Sequence, residues 1–261
     1  MNYVQSEKTM RETLGLSTSP VAVKFVPTGK TPPRLHAPDR RRFCQVLMEA
    51  RRGEKRLLTP DNVSCPAVAS ALGFKPLPDK LASGEMPAAF GIFASPEAAR
   101  RTIESMPRLE QGKYAAVAVL PLAKVGDGCE PDVVIVEGLP EQLMWLALAC
   151  VHETGGRLEF STAVLQATCV DAAILPFVTG KMNASFGCYG CREATDLAVE
   201  ECVMGIPGGL LDTVVTNLRR LAAKAIPRVR AKSAYLRLHG TVLESERDSA
   251  PSGDAQMRPC C

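Results

Sequence analysis

The sequence predicts an α+β protein, a mixed sheet with helices packed on it, in a single domain. Three observations carry this. Short valine-rich apolar runs (VAVKFV, YAAVAVL, VVIV) read as strands. Stretches with helical spacing or helix-start residues lie between them. The two kinds intersperse without the regular strand–helix alternation of a doubly wound sheet, and the chain shows no internal repeat. At 261 residues the chain can bury most of its apolar surface in one core and needs no disulfide to fold.

Taken in order, residues 21–26 form a strand bounded by Pro20 and Pro27, and the proline-bearing residues 28–39 form a loop. Residues 41–52 (RRFCQVLMEARR) read as a helix with Phe43, Val46, Leu47 and Ala50 on one face and Cys44 beside it. A polar connection leads to a short helix with Asp61 or Ser64 as N-cap and Pro66 at its first position, which puts Cys65 at the helix start. Residues 88–93 (AAFGIF) read as a strand, and Ser95-Pro96-Glu97 opens a helix to about Ser105. Residues 114–120 and 133–136 are strands apolar enough to be buried on both faces. Residues 141–152 form an apolar helix ended by Gly155-Gly156. Residues 157–180 hold a strand and then a helix around 169–177, residues 183–186 are extended, and Cys188-Tyr189-Gly190-Cys191 lies in a turn. A strand over 197–204, the turn Ile206-Pro207-Gly208-Gly209 and a helix over 210–225 follow. The globular domain spans 1–242, and the polar residues 243–261 read as a disordered tail.

Composition excludes several functions. A net charge of +3 is too small for a nucleic-acid protein, and four tyrosines with one tryptophan offer little base stacking. No run of about 18 apolar residues would span a membrane, and the N-terminus lacks the apolar stretch of a secretory signal. The expected location is the cytoplasm, where ten cysteines stay reduced and point to metal binding, catalysis or core packing.

The strongest local signal is Cys188-Tyr189-Gly190-Cys191, whose two thiolates can reach one metal ion or two irons of a cluster. Arg192 follows, a cation that would lower thiol pKa and offset the charge of a thiolate-bound group. One such motif supplies two ligands. Further ligands come from elsewhere, with Cys65 first, then Cys44 and Cys169. A redox dithiol and two unrelated structural thiols are the competing readings of the motif. Cys44 fits core packing nearly as well, Cys150 sits in the apolar helix, and Cys129 and Cys202 carry no pattern. The terminal pair Cys260-Cys261 is either a soft-metal handle or a tail without consequence; such a pair resembles the tails of mercuric reductases, which pass a soft metal to a buried site.

Other candidates are weaker. His152 ends the apolar helix and suits a C-terminal dipole partner, while His36 and His239 show no ligand pattern. GIPGG (205–209) lacks a phosphate-loop fingerprint. Arg40–Arg42, Arg51, Arg52, Lys55 and Arg56 form a basic cluster that suits either a solvated helix face or an anionic partner. Glu137, Glu159 and Thr162 are possible pocket residues.

Several stretches together resemble a known family. They are SPVAVKFV (19–26), the Cys44 helix with the following Cys65-Pro66-Ala67, DVVIVEG (132–138), HETGGRLEFSTA (152–163), the Cys169 segment with LPFVTGK (175–181), and ASFGCYGCREATD (184–196) leading to VMGIPG (203–208). The chain is similar, over roughly residues 8–230, to the prokaryotic family called domain of unknown function 169, found largely in anaerobes. The resemblance implies that Cys44, Cys65, Cys169 and Cys188 occupy the family's cysteine positions, with Cys191 in the GCYGCR subtype. It supplies no reaction, and the terminal pair lies outside its pattern.

Three functions follow as expectations. The first is an iron–sulfur protein, of the 4Fe-4S type, acting in redox or sulfur and small-molecule chemistry, with zinc or another soft metal as the alternative occupant. The second is a carrier of a mercury- or arsenic-type ion that uses the Cys260-Cys261 tail. The third is a metal-free thiol enzyme with Cys65 as nucleophile. Expected partners are a small molecule or a redox protein, with no nucleic acid or membrane and a homodimer as default assembly.

Overall fold

The computed structural model describes residues 1–126 and 128–239. The expected tail at 243–261, with Cys260 and Cys261, lies outside the described residues. Residues 1–219 form one compact unit, and a second begins at Arg220, inside the helix Leu211–Ala223. The candidate site belongs wholly to the first unit.

In chain order the elements are α1 (Tyr3–Leu14), β1 (Val21–Pro27), α2 (Phe43–Arg51), β2 (Arg56–Leu58), α3 (Pro66–Ala71), α4 (Asp79–Ala82), α5 (Glu85–Ala89) and α6 (Pro96–Ser105). Then come β3 (Tyr114–Pro121), β4 (Val133–Gly138), α7 (Pro140–Val151), a π-helical segment (Ala167–Ile174), α8 (Leu175–Thr179), β5 (Asn183–Ser185), α9 (Tyr189–Ala194), β6 (Cys202–Pro207), α10 (Leu211–Ala223) and α11 (Ala225–His239). The class is the expected α+β. The sheet runs β2-β3-β1-β4-β6-β5, and all five of its ladders are antiparallel. Among the described residues, parallel pairing is confined to two isolated bridges, His36 with Arg56 and Arg41 with Val63.

The central strands are buried on both faces, as their unbroken apolar runs require. Side chains alternate across a strand. Val21, Val23 and Phe25 of β1, Val117 and Val119 of β3, Val133 and Ile135 of β4 and Val203 of β6 join one core with α2, α3 and the π-helical segment. Ala22, Ala118, Leu120, Val134, Val136 and Met204 point to the opposite face, where α7 packs on β4 and β6. That second layer is tied by Gln142, whose amide donates to the carbonyls of Leu14 and Gly15, and by Asn217, which donates to the Ala149 carbonyl.

Two close approaches place the site. A Cβ at Gly205 of β6 would stand 1.9 Å from the Ala172 carbonyl oxygen, so only glycine lets the π-helical segment lie this close to the sheet. Phe177 of α8 stacks at 4.5 Å on Phe25, and Tyr114 meets both rings edge-on, contacts each contributing roughly 0.5–1.5 kcal/mol beyond area burial. Together they fix the segment that carries Cys169.

Five sequence expectations need correction. Residues 88–93 are not a strand: α5 ends at Ala89 and a turn follows with Gly91 at φ +71°. Pro87 and the two glycines around α5, Gly84 and Gly91, favour this local helix and turn over an extended run. Residues 157–166 form no strand, because Asn183 and not a ladder holds this stretch, accepting from Ser161 N–H and donating to the Ser161 carbonyl. The strand expected at 197–204 begins at Cys202 and runs to Pro207, since Glu201 is committed to Arg51. The Cys188–Cys191 stretch is the start of a helix, not a turn. The N-cap before Pro66 is Cys65 itself, not Asp61 or Ser64.

Candidate functional site

Five of the eight cysteines among the described residues line one cavity of about 260 Å³: Cys44, Cys65, Cys169, Cys188 and Cys191. They arrive from four separate parts of the chain. Cys44 is the second residue of α2, and the Arg42 N–H that precedes it donates to Gln45 Oε1 to start the helix. Cys65 caps α3, with Pro66 at the first helical position, where a missing N–H costs nothing. Cys169 lies in the π-helical segment, a rare geometry that recurs at functional sites. Cys188 caps α9 and accepts from the Cys191 N–H at 3.4 Å. Gly187, at φ +84°, makes the turn into it, and a Cβ there would press on Leu197 at 2.9 Å.

The thiols touch one another. Cys188 Sγ donates to Cys191 Sγ at 3.2 Å, and Thr168 Oγ1 lies 3.1 Å from Cys191 Sγ. Cys44 lies close enough to Cys191 to act on its thiol. The surroundings of Cys169, Cys188 and Cys191 favour the neutral thiol. Cys188 is pushed up by its hydrogen bond to Cys191 and by burial. Cys169 opens onto the cavity but lies deep among protein atoms; burial drives it well up, and the neighbouring thiols Cys188, Cys191 and Cys65 add to the effect. Cys191 is raised as well: Cys188 donates to it and pulls down, while Cys44 and burial outweigh that. Cys188 and Cys191 titrate as a unit. A cation or metal cluster arriving here would therefore displace protons.

The remaining wall is almost wholly apolar, supplied by α3 and by Leu81, Met86, Pro87, Phe90 and Ile92. The cation at the cavity edge is Arg42. It donates to Glu193 Oε2 at 2.9 Å and to the Gly190 carbonyl at 3.2 Å, and its pKa is raised first by Glu193 and then by Cys65 and Cys44. Arg192, expected to serve the cysteines, is spent elsewhere. It donates to the carbonyls of Ala198, Phe186 and Glu201 and so closes the loop between α9 and β6.

Of the other candidates, most of the basic cluster is paired with carboxylates. Arg41 pairs with Glu49, Arg42 with Glu193, Arg52 with Asp196, and Arg56 with Glu49 and Glu54. Arg51 is buried against Glu137 and Glu201, both at 3.1 Å. Thr162 donates to Asp171 and Glu159 is exposed. Cys150 and Cys202 are half-buried and Cys129 is buried, all away from the cavity. His152 caps α7, His36 forms a bridge with Arg56, and the side chain of His239 is outside the described residues. Among the described residues, no three His, Cys, Asp or Glu side chains stand close enough to hold a single metal ion, and no helix is long and apolar enough to cross a membrane. Sequence reasoning missed Thr168 and Gln166, for which periodicity gave no signal.

The family model for domain of unknown function 169 (DUF169, described as uncharacterised ArCR) matches residues 9–217. An uncharacterised protein of Methanocaldococcus jannaschii, MJ0308, is 29% identical over 215 residues, which make up 81% of this chain and 91% of that one. No solved structure matches the chain.

Proposed function

The chain belongs to the domain of unknown function 169 family, and from that premise we propose that it is an iron–sulfur protein whose cluster is held by thiols of the set Cys44, Cys65, Cys169, Cys188 and Cys191. The observation that supports this most is the convergence of these five thiols, from four chain segments, on one apolar cavity. Thiols spread along a wall suit a ligand with several metal atoms better than a lone ion, since each iron takes its own thiolate. The donor set fits the group: all-sulfur and set in a mainly apolar cavity. When bound, a cluster would supply one-electron redox or Lewis-acid chemistry at the cavity wall.

The test is anaerobic purification and reconstitution, followed by visible absorption and iron and sulfide analysis. About four irons and four sulfides per chain are expected. Cys188→Ser and Cys191→Ser should lose them, while Cys150→Ser and Cys202→Ser should retain them. A protein that stays colourless after reconstitution refutes the proposal.

One distance favours a second reading. The 3.2 Å contact between Cys188 and Cys191 at a helix start is also the arrangement of a redox dithiol. Mild oxidation of the metal-free protein would then give a reversible disulfide between these two residues, and mass mapping that finds both thiols free would exclude it.

A further inference from the structure

Gln166 is an expensive residue. It sits at φ +57° and ψ +41°, the left-handed region that costs a side-chain-bearing residue about 1–2 kcal/mol and favours glycine. It is also only 7% exposed, lines the cavity, and its carboxamide makes no hydrogen bond among the described residues. Its carboxamide atoms are not among the fully buried polar atoms that lack a partner, so they reach the open space of the cavity. Only its backbone is used locally: the Gln166 carbonyl accepts from the N–H groups of Val170 and Asp171 and starts the π-helical segment. Glycine would serve that backbone at lower cost. The strained position is held from outside, by Asn183 on Ser161 and by Thr162, whose Oγ1 accepts from the Val164 N–H and donates to Asp171.

The rest of the cavity defines the ligand. Apart from the thiols and the hydroxyls of Ser64, Thr168 (held on Cys191) and Tyr189, its wall is mainly apolar, and the charges that border it, Arg42 and Glu193, are spent on each other. A charged ligand would lose its hydration and find no unpaired counter-charge. The cavity, about 260 Å³, exceeds the roughly 150 Å³ in which a benzene is held.

We propose that the apolar part of the cavity wall binds an uncharged, mainly apolar small molecule whose single polar group hydrogen-bonds to the Gln166 carboxamide. This names the substrate class of the cavity described above. It rests on the cluster reading for any chemistry done to the ligand, but not for binding. The carboxamide donates and accepts, so a hydroxyl or a carbonyl satisfies it. The site gives recognition in two parts: shape and desolvation from the apolar wall, orientation from Gln166.

The test uses the full chain, anaerobically purified, with iron and sulfide measured on each sample, and three probes of one shape. Toluene has no polar group, benzyl alcohol has one, and benzoate is charged. Saturable binding, followed by calorimetry or ligand-observed NMR, should be tightest for benzyl alcohol, roughly two- to tenfold weaker for toluene, and undetectable for benzoate. Gln166→Gly should fold and should remove the preference for benzyl alcohol over toluene. Ala67→Phe, which fills the cavity from α3, should abolish binding of both. Benzoate binding as well as benzyl alcohol, a preference surviving in Gln166→Gly, or no saturable binding of any probe overturns the proposal. Selective binding by a preparation that takes up no iron leaves this proposal standing and refutes the cluster; a loaded cluster with no probe binding does the reverse.

Discussion

The two ends of α2 carry opposite kinds of buried polar arrangement. At its start, Cys44 joins four other thiols around one cavity, and burial and the neighbouring thiols raise three of them, Cys169, Cys188 and Cys191. At its end, Arg51 lies buried between Glu137 of β4 and Glu201 before β6, with Asp196 3.5 Å away. The second arrangement is paired by charge within the protein; the first leaves its thiols around a cavity. The helix is thus anchored to the sheet by charge at one end so that its other end can present a thiol to a cavity. Even the anchor is imperfect. Arg51 Nε and Glu137 Oε1 are buried without partners, and three carboxylates share the guanidinium.

The comparison breaks most visibly at Arg51. Arg51→Met leaves Glu137 buried and uncompensated and should cost about 3–5 kcal/mol in chemical denaturation. Adding Glu137→Leu should recover a measurable part of that loss, because a buried ion pair replaced by apolar groups is often neutral. If the single and double variants are equally unstable, Glu137 is not the group left stranded.

The next effect is a pH dependence. Burial pushes Glu137 up to about 7, with the neighbouring Glu201 adding to it and Arg51 opposing. A carboxyl raised in the folded state binds its proton more tightly there than in the unfolded chain. Its contribution is therefore full below the ordinary carboxylate range and is lost as pH rises through about 7. Stability of the metal-free protein should fall between pH 5 and 8 by an amount on the order of 2–3 kcal/mol. Glu137→Gln, which mimics the protonated acid, should flatten that slope. Asp171, raised by burial to about 6, acts with the same sign in a lower window and remains in the variant. An unchanged slope in Glu137→Gln would show that another group titrates.

At the thiol end the expected cost is smaller and conditional. Cys44→Ala in the metal-free protein removes one small buried group and should cost about 1 kcal/mol. After reconstitution the wild type should gain stability by mass action, and Cys188→Ala should gain much less. Equal gains in the two would place the bound group away from Cys188.

How far the sequence carries this picture differs between the two ends. The strands with unbroken valine runs, the helix start at Pro66 and the cysteines of GCYGCR were all legible, since each depends on local chemistry. The ion pairs were not. Arg51 and Glu137 stand 86 positions apart and meet only through the packing of α2 on the sheet. For the same reason the cation beside the thiols proved to be Arg42, not the adjacent Arg192, whose guanidinium the loop after α9 captures. AAFGIF read as a strand because a short apolar run carries no period of its own. β2 went unseen as a three-residue edge strand inside a polar stretch, and α11 because its apolar residues form no stripe. A π-helical hydrogen-bond pattern leaves no mark in side-chain spacing that distinguishes it from an α-helix.

The smallest effect tests the strain at Gln166, which belongs to neither end of α2 but lines the same cavity as the thiols. Gln166→Ala and Gln166→Gly both remove the carboxamide and its stem, so they differ only in what the backbone pays at φ +57°. Alanine keeps the clash between Cβ and carbonyl that makes this region costly; glycine has none but loses more entropy on folding. The balance leaves the glycine variant more stable by roughly 1 kcal/mol, measured as a shift in denaturation midpoint at constant slope. Equal stability would mean that the segment relaxes out of the left-handed region once the side chain is gone. The side chain's seat in the cavity, and not the start of the π-helical segment, would then be what holds the backbone in its strained form.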